Sequence, residues 1–328
     1  MIAIDIMGGD RAPDVVLQGS LQAASKAIPI TLFGPSDLIT QWLDKHDKSW
    51  ERYPITIVHA PEIIAMDDDP LTAFRQKRTS SLVAAIESVA TGRCRAVVSA
   101  GNSGALMAAA IFIIGREDAI ERAPFAGFLP TPIGSVLCLD LGANTDCRAH
   151  HLMQFAHLGN SFVKKVLGLP RPRIGLLSNG HEPGKGSMLV KEAYVLLKKE
   201  NSLHFIGNVE PYHIFSQQTD VVVCDGFSGN VMLKTLEATI TTIQNTIERE
   251  GAQYGIDGLK LINSISRRFS LNRDGGALLL GVKGTVVVCH GASTAQDIEQ
   301  AIIFSMQSST IINAKKQKSF QREMYVSM

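Results

Sequence analysis

Short β-rich apolar runs alternate with stretches of helical spacing along almost the whole chain, and this alternation limits the fold more than any other feature. Residues 2–6, 30–33, 55–58, 96–99, 135–139, 174–177, 204–206, 221–224 and 285–289 read as strands. Between them, residues 12–27, 71–90, 152–166 and 185–199 carry apolar side chains at helical spacing. Alternating strand and helix imply crossover connections, hence a mostly parallel sheet with helices on both faces. In such sheets ligands bind beyond the carboxyl ends of the strands.

One segment breaks the pattern. From Leu233 the apolar residues are Leu233, Leu236, Ile240, Ile243 and Ile247, a heptad seam on an otherwise polar stretch. "GAQYGIDG" then reads as a turn, and Leu259, Ile262, Ile265 and Phe269 as the inner face of a returning helix. The expectation is a protruding helical arm over residues 231–270, too thin to hold its own core and suited to pack on the same arm of a second subunit. A helix lying on its own sheet is the alternative. No linker or compositional shift divides the chain, so 1–328 is expected to be a single α/β/α domain with the arm inside it, ending in a polar stretch prone to fray.

Charge excludes some functions. Lys and Arg number 32 against 31 Asp and Glu, a net charge of +1, so nothing favours a nucleic-acid partner. The five cysteines, Cys94, Cys138, Cys147, Cys224 and Cys289, include no CxxC pair. Four sit at or just beyond apolar runs, as core residues of a reducing compartment would. The chain opens on a strand, leaving no room for a signal peptide, and no apolar run nears the roughly 20 residues of a membrane span. A soluble, cytoplasmic protein is expected.

The strand ends carry the chemistry. "SAGNSGA" places Gly101, Asn102, Ser103 and Gly104 between a strand and a helix, and "DGFSGNV" repeats the design with Asp225, Gly226, Gly229 and Asn230. "MGGDRAP" supplies Gly8, Gly9 and Asp10, "LDLGANTD" supplies Asn144, and "VVCHGAS" puts His290 where Asp225 stands in its copy. Glycine permits sharp turns, and the first N–H groups of the following helix face whatever lies in front. Several such turns around one crevice would suit an anion, with phosphate the natural choice. One such turn is only a tight connection; several are harder to attribute to packing. His290 and Asp225 serve equally well as substrate contacts or as hydrogen-bonded structural groups.

Other motifs narrow the chemistry. There is no GxxxxGK[ST], and no GxGxxG after the first strand, so no nucleotide cofactor is expected. HExxH, EF-hand and GxSxG patterns are missing too, so no metal is expected and a serine nucleophile elbow is disfavoured. His150 and His151 are adjacent, which on a helix would point them apart. "HEPGKGS" mounts Lys185 between two glycines, as a point charge for a phosphate or as a solvated lysine. Arg75, Lys77 and Arg78 read as a solvated face.

Together "IDIMGGDRAP", "SAGNSGALMA", "LDLGANTDC", "HFIGNVE", "DGFSGNVMLKTLE" and "GGALLLGVKG…HGAS" resemble the successive signatures of the bacterial fatty acyl-ACP:phosphate acyltransferases (PlsX), in order and over nearly the whole chain. The resemblance implies a Rossmann-like three-layer α/β/α fold related to phosphotransacetylase and isopropylmalate dehydrogenase. It implies acyl transfer from acyl carrier protein to inorganic phosphate, without a cofactor, giving acyl phosphate for phosphatidic acid synthesis. It also implies a homodimer paired through the arms, peripheral membrane contact and a downstream glycerol-3-phosphate acyltransferase. Lys185 and Asn230 match the positions expected to serve catalysis; Gly8, Gly9, Asp10, Gly101, Asn102, Ser103, Gly104 and Asn144 match the crevice motifs. Arg11 replaces the usual His, Ser103 the usual Thr, and Ser178 the usual Asn near Lys185. The alternatives are a phosphotransacetylase-like enzyme using acyl-CoA, a decarboxylating dehydrogenase, and a non-catalytic anion-binding membrane scaffold.

Overall fold

The computed structural model describes residues 1–132, 134–251 and 275–326. Its strands are β1 (Ile2–Asp5), β2 (Ile30–Gly34), β3 (Ile55–His59), β4 (Ala96–Ser99), β5 (Phe125–Pro130), β6 (Ser135–Leu139), β7 (Arg173–Leu177), β8 (His204–Val209), β9 (Val221–Val223), β10 (Ala277–Leu279) and β11 (Thr285–Val288). Its helices are α1 (Asp14–Ser25), α2 (Ser36–His46), α3 (Pro70–Gln76), α4 (Ser81–Ala90), α5 (Ser103–Ala109), α6 (Ala149–Val166), α7 (Met188–Lys199), α8 (Pro211–Phe215), α9 (Gly226–Gly251) and α10 (Ala295–Val326). The chain forms two compact units, Met1–Ile120 with Asp274–Met328, and Glu121–Arg273.

In the first unit the strands lie in the order β3-β2-β1-β4-β11-β10, parallel except that β10 runs against β11. Ile2, Ala3 and Ile4 of β1 and Ala96, Val97 and Val98 of β4 are all buried, as continuous apolar strands covered on both faces should be. The chain steps outward from β1 through α1 to β2 and through α2 to β3, then returns across β1 to form β4. Right-handed crossovers put α4 on the face opposite α1 and α2. The strand order therefore reverses between β1 and β4, and the loops leaving these strands part at that point. The single helix expected over 71–90 is two. The carboxylate of Asp69 caps α3 by accepting the Thr72 N–H, and the Ser80 hydroxyl caps α4 by accepting the Val83 N–H.

In the second unit the order is β5-β6-β9-β7-β8, with β5 antiparallel to β6 and the rest parallel. Helix α6 buries Leu152, Phe155, Ala156, Gly159, Phe162 and Val163, a stripe at helical spacing that packs on β6, β9 and α7. Each fully buried Leu or Phe contributes about 1.5–3 kcal/mol. Helix α9 is different: from Val231 to Glu250 none of its residues is buried, and Ile243 of the seam is 47% exposed. The returning helix expected over 259–269, and the turn with Tyr254 and Ile256, lie outside the described residues. The polar C-terminal stretch continues α10 to Val326.

Candidate active site

In the first unit the expected turns do meet. Loops leaving β1, β4 and β11 are neighbours because these strands pair side by side in parallel. Gly8 and Gly101 approach so closely that a Cβ on Gly8 would lie 2.6 Å from the Gly101 nitrogen. Gly9, at φ +116°, faces Ala100 and Gly291, and the Asp10 N–H donates to the Gly291 carbonyl at 2.9 Å. Asn102 caps α5: its Oδ1 accepts the Ala105 N–H at 3.0 Å, and its Nδ2 donates to the Asp68 carbonyl at 2.9 Å. Ser103 is exposed at the helix start, while Gly104 lets Pro70 of α3 pack against α5. Exposed His290 accepts the Ala292 N–H on Nδ1 at 3.1 Å. Arg11 spends its guanidinium on the carbonyls of Ala292 and Ser293, at 2.7 and 2.8 Å.

Beneath this cluster lies a residue the sequence reading missed. Asp5 is buried, and its carboxyl accepts the Ser81 hydroxyl at 2.6 Å and the Ser99 hydroxyl at 2.7 Å; Ser99 Oγ in turn accepts the Gly101 N–H at 3.0 Å. Burial pushes the Asp5 carboxyl above its ordinary value, against these hydrogen bonds and one from Met7.

The second unit repeats the device. Buried Asp140, just past β6, accepts the backbone N–H groups of Phe125, Gly142, Ala143 and Asn144 at 2.7–3.0 Å, and the Asn144 side-chain amide at 2.8 Å. Asn144 also donates to the Ala123 carbonyl at 2.9 Å, and its own carbonyl accepts the Gly226 N–H at 2.8 Å. Across this turn, Asn230 in the first turns of α9 donates one amide hydrogen to the Leu141 carbonyl at 3.0 Å. Gly142, at φ +135°, admits that contact, since a Cβ there would lie 2.8 Å from Asn230 Nδ2. Asp225 caps α9 by accepting the N–H and hydroxyl of Ser228 at 2.9 and 2.8 Å. A side chain on Gly229 would run into the Asp140 carbonyl. The structure thus brings Asn144, Asp225, Gly226, Gly229 and Asn230 together. An aspartate inside "IDIMGG" and another inside "LDLGAN" were the available signals for Asp5 and Asp140.

Lys185 stands on the loop leaving β7, the strand beside β9. Its stem lies over Gly180, where a Cβ would come within 2.7 Å of Lys185 Cγ. It is exposed, and its charge helps its neighbour Glu182, whose own backbone N–H is the larger cause, to hold the Glu182 carboxyl low.

His150 and His151 correct an expectation: both rings reach one carboxylate. Glu121 Oε2 lies 3.0 Å from His150 Nε2 and 3.3 Å from His151 Nε2, because His151 at the third position of α6 curls back to accept the Arg148 N–H on Nδ1 at 3.0 Å. That acceptor role leaves the proton of neutral His151 on Nε2, facing Glu121, where a metal would need a lone pair. These three side chains are the only group of metal-ligand type found among the described residues, and they suit a hydrogen-bonded cluster better than a cation.

A mostly parallel α/β sheet with glycine turns at its strand ends defines a fold shared with phosphotransacetylases. A phosphotransacetylase from Streptococcus pyogenes has a TM-score of 0.63 at 18% identity, over 94% of each chain. The EutD phosphotransacetylase from Staphylococcus aureus has a TM-score of 0.60 at 15% identity, over 93% of this chain and 96% of that one. At such identities the likeness establishes the fold alone. Sequence goes further. The family model described as "Fatty acid synthesis protein" matches residues 1–313. The phosphate acyltransferase of Trichlorobacter lovleyi is 43% identical over 316 residues, 94% of this chain and 91% of its own length. That of Desulforamulus reducens is 42% identical over 307 residues, 92% and 91%. The chain belongs to this family of phosphate acyltransferases, and it is an acyltransferase enzyme.

Proposed function

We propose that this enzyme transfers a fatty acyl group from acyl carrier protein to inorganic phosphate by direct attack of phosphate on the thioester. A phosphate oxygen adds to the carbonyl carbon, the tetrahedral oxyanion collapses, and the C–S bond breaks. Acyl phosphate leaves, and the carrier thiolate takes up the proton of hydrogenphosphate. Phosphate is already anionic near neutral pH, so the protein need only position it, offset its charge and stabilise the oxyanion. Lys185 offsets charge, and Asn230 donates the second hydrogen of an amide whose first is fixed on Leu141.

The observation that carries direct attack is the state of the thiols. Burial and the charges of Asp140 and Asp225 hold the half-buried Cys147 thiol up at about 11, and burial holds Cys289 at about 12. Cys94, Cys138 and Cys224 are buried as well. A cysteine nucleophile works as thiolate and needs the opposite environment. Phosphate-dependent release of free thiol from acyl-ACP, with acetyl-CoA and NAD as comparison substrates, tests the reading. Lys185→Ala and Asn230→Ala are each expected to lose turnover on the order of 100- to 1000-fold. Near-normal turnover in both, or an acyl group trapped on any cysteine, refutes it.

The product, a reactive mixed anhydride, suits consumption by a glycerol-3-phosphate acyltransferase on the way to phosphatidic acid. The heptad seam of α9, none of whose residues is fully buried, supports a homodimer paired through these helices. No helix among the described residues is long and apolar enough to cross a membrane, and peripheral contact through the end of the arm is the form of membrane association we infer.

A further inference from the structure

Two buried polar atoms beneath the Lys185 loop have no hydrogen-bond partner among the described residues. Ser178 follows β7 and Asn208 lies in β8; the strands pair Leu176 with Asn208 and Leu177 with Val209, so both residues sit at one end of the same strand pair. Ser178 is 8% exposed and Asn208 6%. Among the described residues neither Ser178 Oγ nor Asn208 Oδ1 makes a hydrogen bond, although the Asn208 Nδ2 donates to the Glu182 carbonyl at 2.8 Å. That bond pins the Asn208 amide under the loop that carries Lys185. Ser178 Oγ lies under the same loop, 3.1 Å from where a Cβ of Gly186 would stand. Buried polar groups are nearly always paired, so two orphans at one end of the same strand pair call for a cause.

The third unpaired group is the lysine itself. Among the described residues the Lys185 ammonium makes no hydrogen bond or ion pair, while its backbone N–H donates to the Glu182 carbonyl at 3.0 Å. Its ammonium has three donors and no acceptor, on a flexible four-carbon stem. Both orphaned atoms can accept. Gly184, with nothing within 4 Å of a Cβ there, and Gly186, at φ +96°, flank the lysine and widen the backbone angles open on either side of it.

We propose that Ser178 Oγ and Asn208 Oδ1 seat the Lys185 ammonium when an inorganic phosphate binds, accepting two of its hydrogens while the third goes to a phosphate oxygen. The inference rests on the reading that Lys185 meets phosphate. It makes Ser178 and Asn208 positioning residues acting through Lys185.

The test is Ser178→Ala in the full-length enzyme, with Ser178→Thr as the variant that keeps the hydroxyl. A hydrogen bond to a charged group is worth about 1.5–3 kcal/mol, so S178A is expected to raise the KM for phosphate by ~10-fold or more while leaving the KM for acyl-ACP unchanged. S178T should restore most of the loss. Because the hydroxyl has no partner before phosphate binds, the melting temperature of S178A should equal or exceed that of the parent. A second readout needs no turnover: inorganic phosphate should protect Lys185 from an amine-reactive acylating reagent, read by peptide mass spectrometry, and S178A should weaken that protection. An unchanged phosphate KM with unchanged protection overturns the proposal, as does a lowered melting temperature with no kinetic effect, the mark of a structural hydroxyl. If the parent forms no acyl phosphate yet its Lys185 is protected in a Ser178-dependent way, the acyltransfer reading fails and the seat stands.

Discussion

Asp5 shows how a single carboxyl can organise a binding loop and leave a record in the pH dependence of stability. Its folded value is raised by burial, so the folded state keeps the proton at a pH where the unfolded chain has lost it. The stabilising contribution is therefore complete below the ordinary aspartate value of 3.8 and is lost as pH rises through the folded value. Asp68 and Asp220 act the other way. Lys77 lowers Asp68 chiefly through a hydrogen bond, and burial of Asp220 is outweighed by Arg173, so their contributions are lost as pH falls. Subtracting the two pH profiles isolates Asp5. Asp5→Asn is expected to be less stable at pH 4 by about 1–3 kcal/mol, because Ser81 or Ser99 loses its acceptor. The gap should narrow toward pH 8, as the parent bears the cost of a buried charge. Urea midpoints at several pH values read this, and a gap constant across the range would mean that Asp5 does not titrate there. The same residue explains what was legible at this scale. Turn glycines and amides stand out in a sequence, whereas an acid inside an apolar strand gains meaning only once Ser81 and Ser99, far away in the chain, are seen to donate to it.

Among elements, those with strong periodicity were readable and those held by context were not. All nine expected strands form, because Val and Ile runs bounded by turn residues allow little else. Strands β5 and β10 escaped notice. "FAGFLP" holds a glycine and ends in proline, "ALL" is three residues long, and each lies against an antiparallel neighbour that its own sequence does not announce. Helix α6 was legible for its stripe, but the stripe hides a constraint. A Cβ on Gly159 would come within 2.7 Å of Val221 Cγ1 and 3.1 Å of Leu139 Cδ2, so the glycine sets how closely α6 approaches β9 and β6. Helix propensity alone favours Ala or Leu there by up to about 1 kcal/mol. Packing should win: Gly159→Leu overfills the contact and is expected to destabilise by about 1–3 kcal/mol. A thermal melt at or above that of the parent would show that α6 can move aside at little cost.

For the molecule as a whole, the open question is what covers α9. Its 26 residues begin in the candidate site, where Asp225 caps the helix and Asn230 reaches Leu141, and they end on a stretch with no buried residue. Most of a helix's stability in a protein comes from packing one face against a neighbour. Leu233, Leu236, Ile240 and Ile247 are only half-buried, Ile243 is exposed, and a shallow groove of about 560 Å³ runs past Val231, Lys234, Ala238, Thr242 and Ile243. A heptad seam matches a second helix better than it matches a flat surface, and the simplest second helix is that of another copy. If so, Leu236→Asp with Ile240→Asp places two unpaired charges in the seam and should convert dimer to monomer in sedimentation velocity. The melting temperature should become independent of protein concentration, since monomer stability is uncoupled from mass action. Because α9 also carries Asn230, the monomer should lose turnover as well, with the phosphate KM and kcat both affected as the helix start loosens. A double variant that sediments as the parent does would remove the seam from the dimer interface. A parent already monomeric at micromolar concentration would leave α9 to be covered by its own chain.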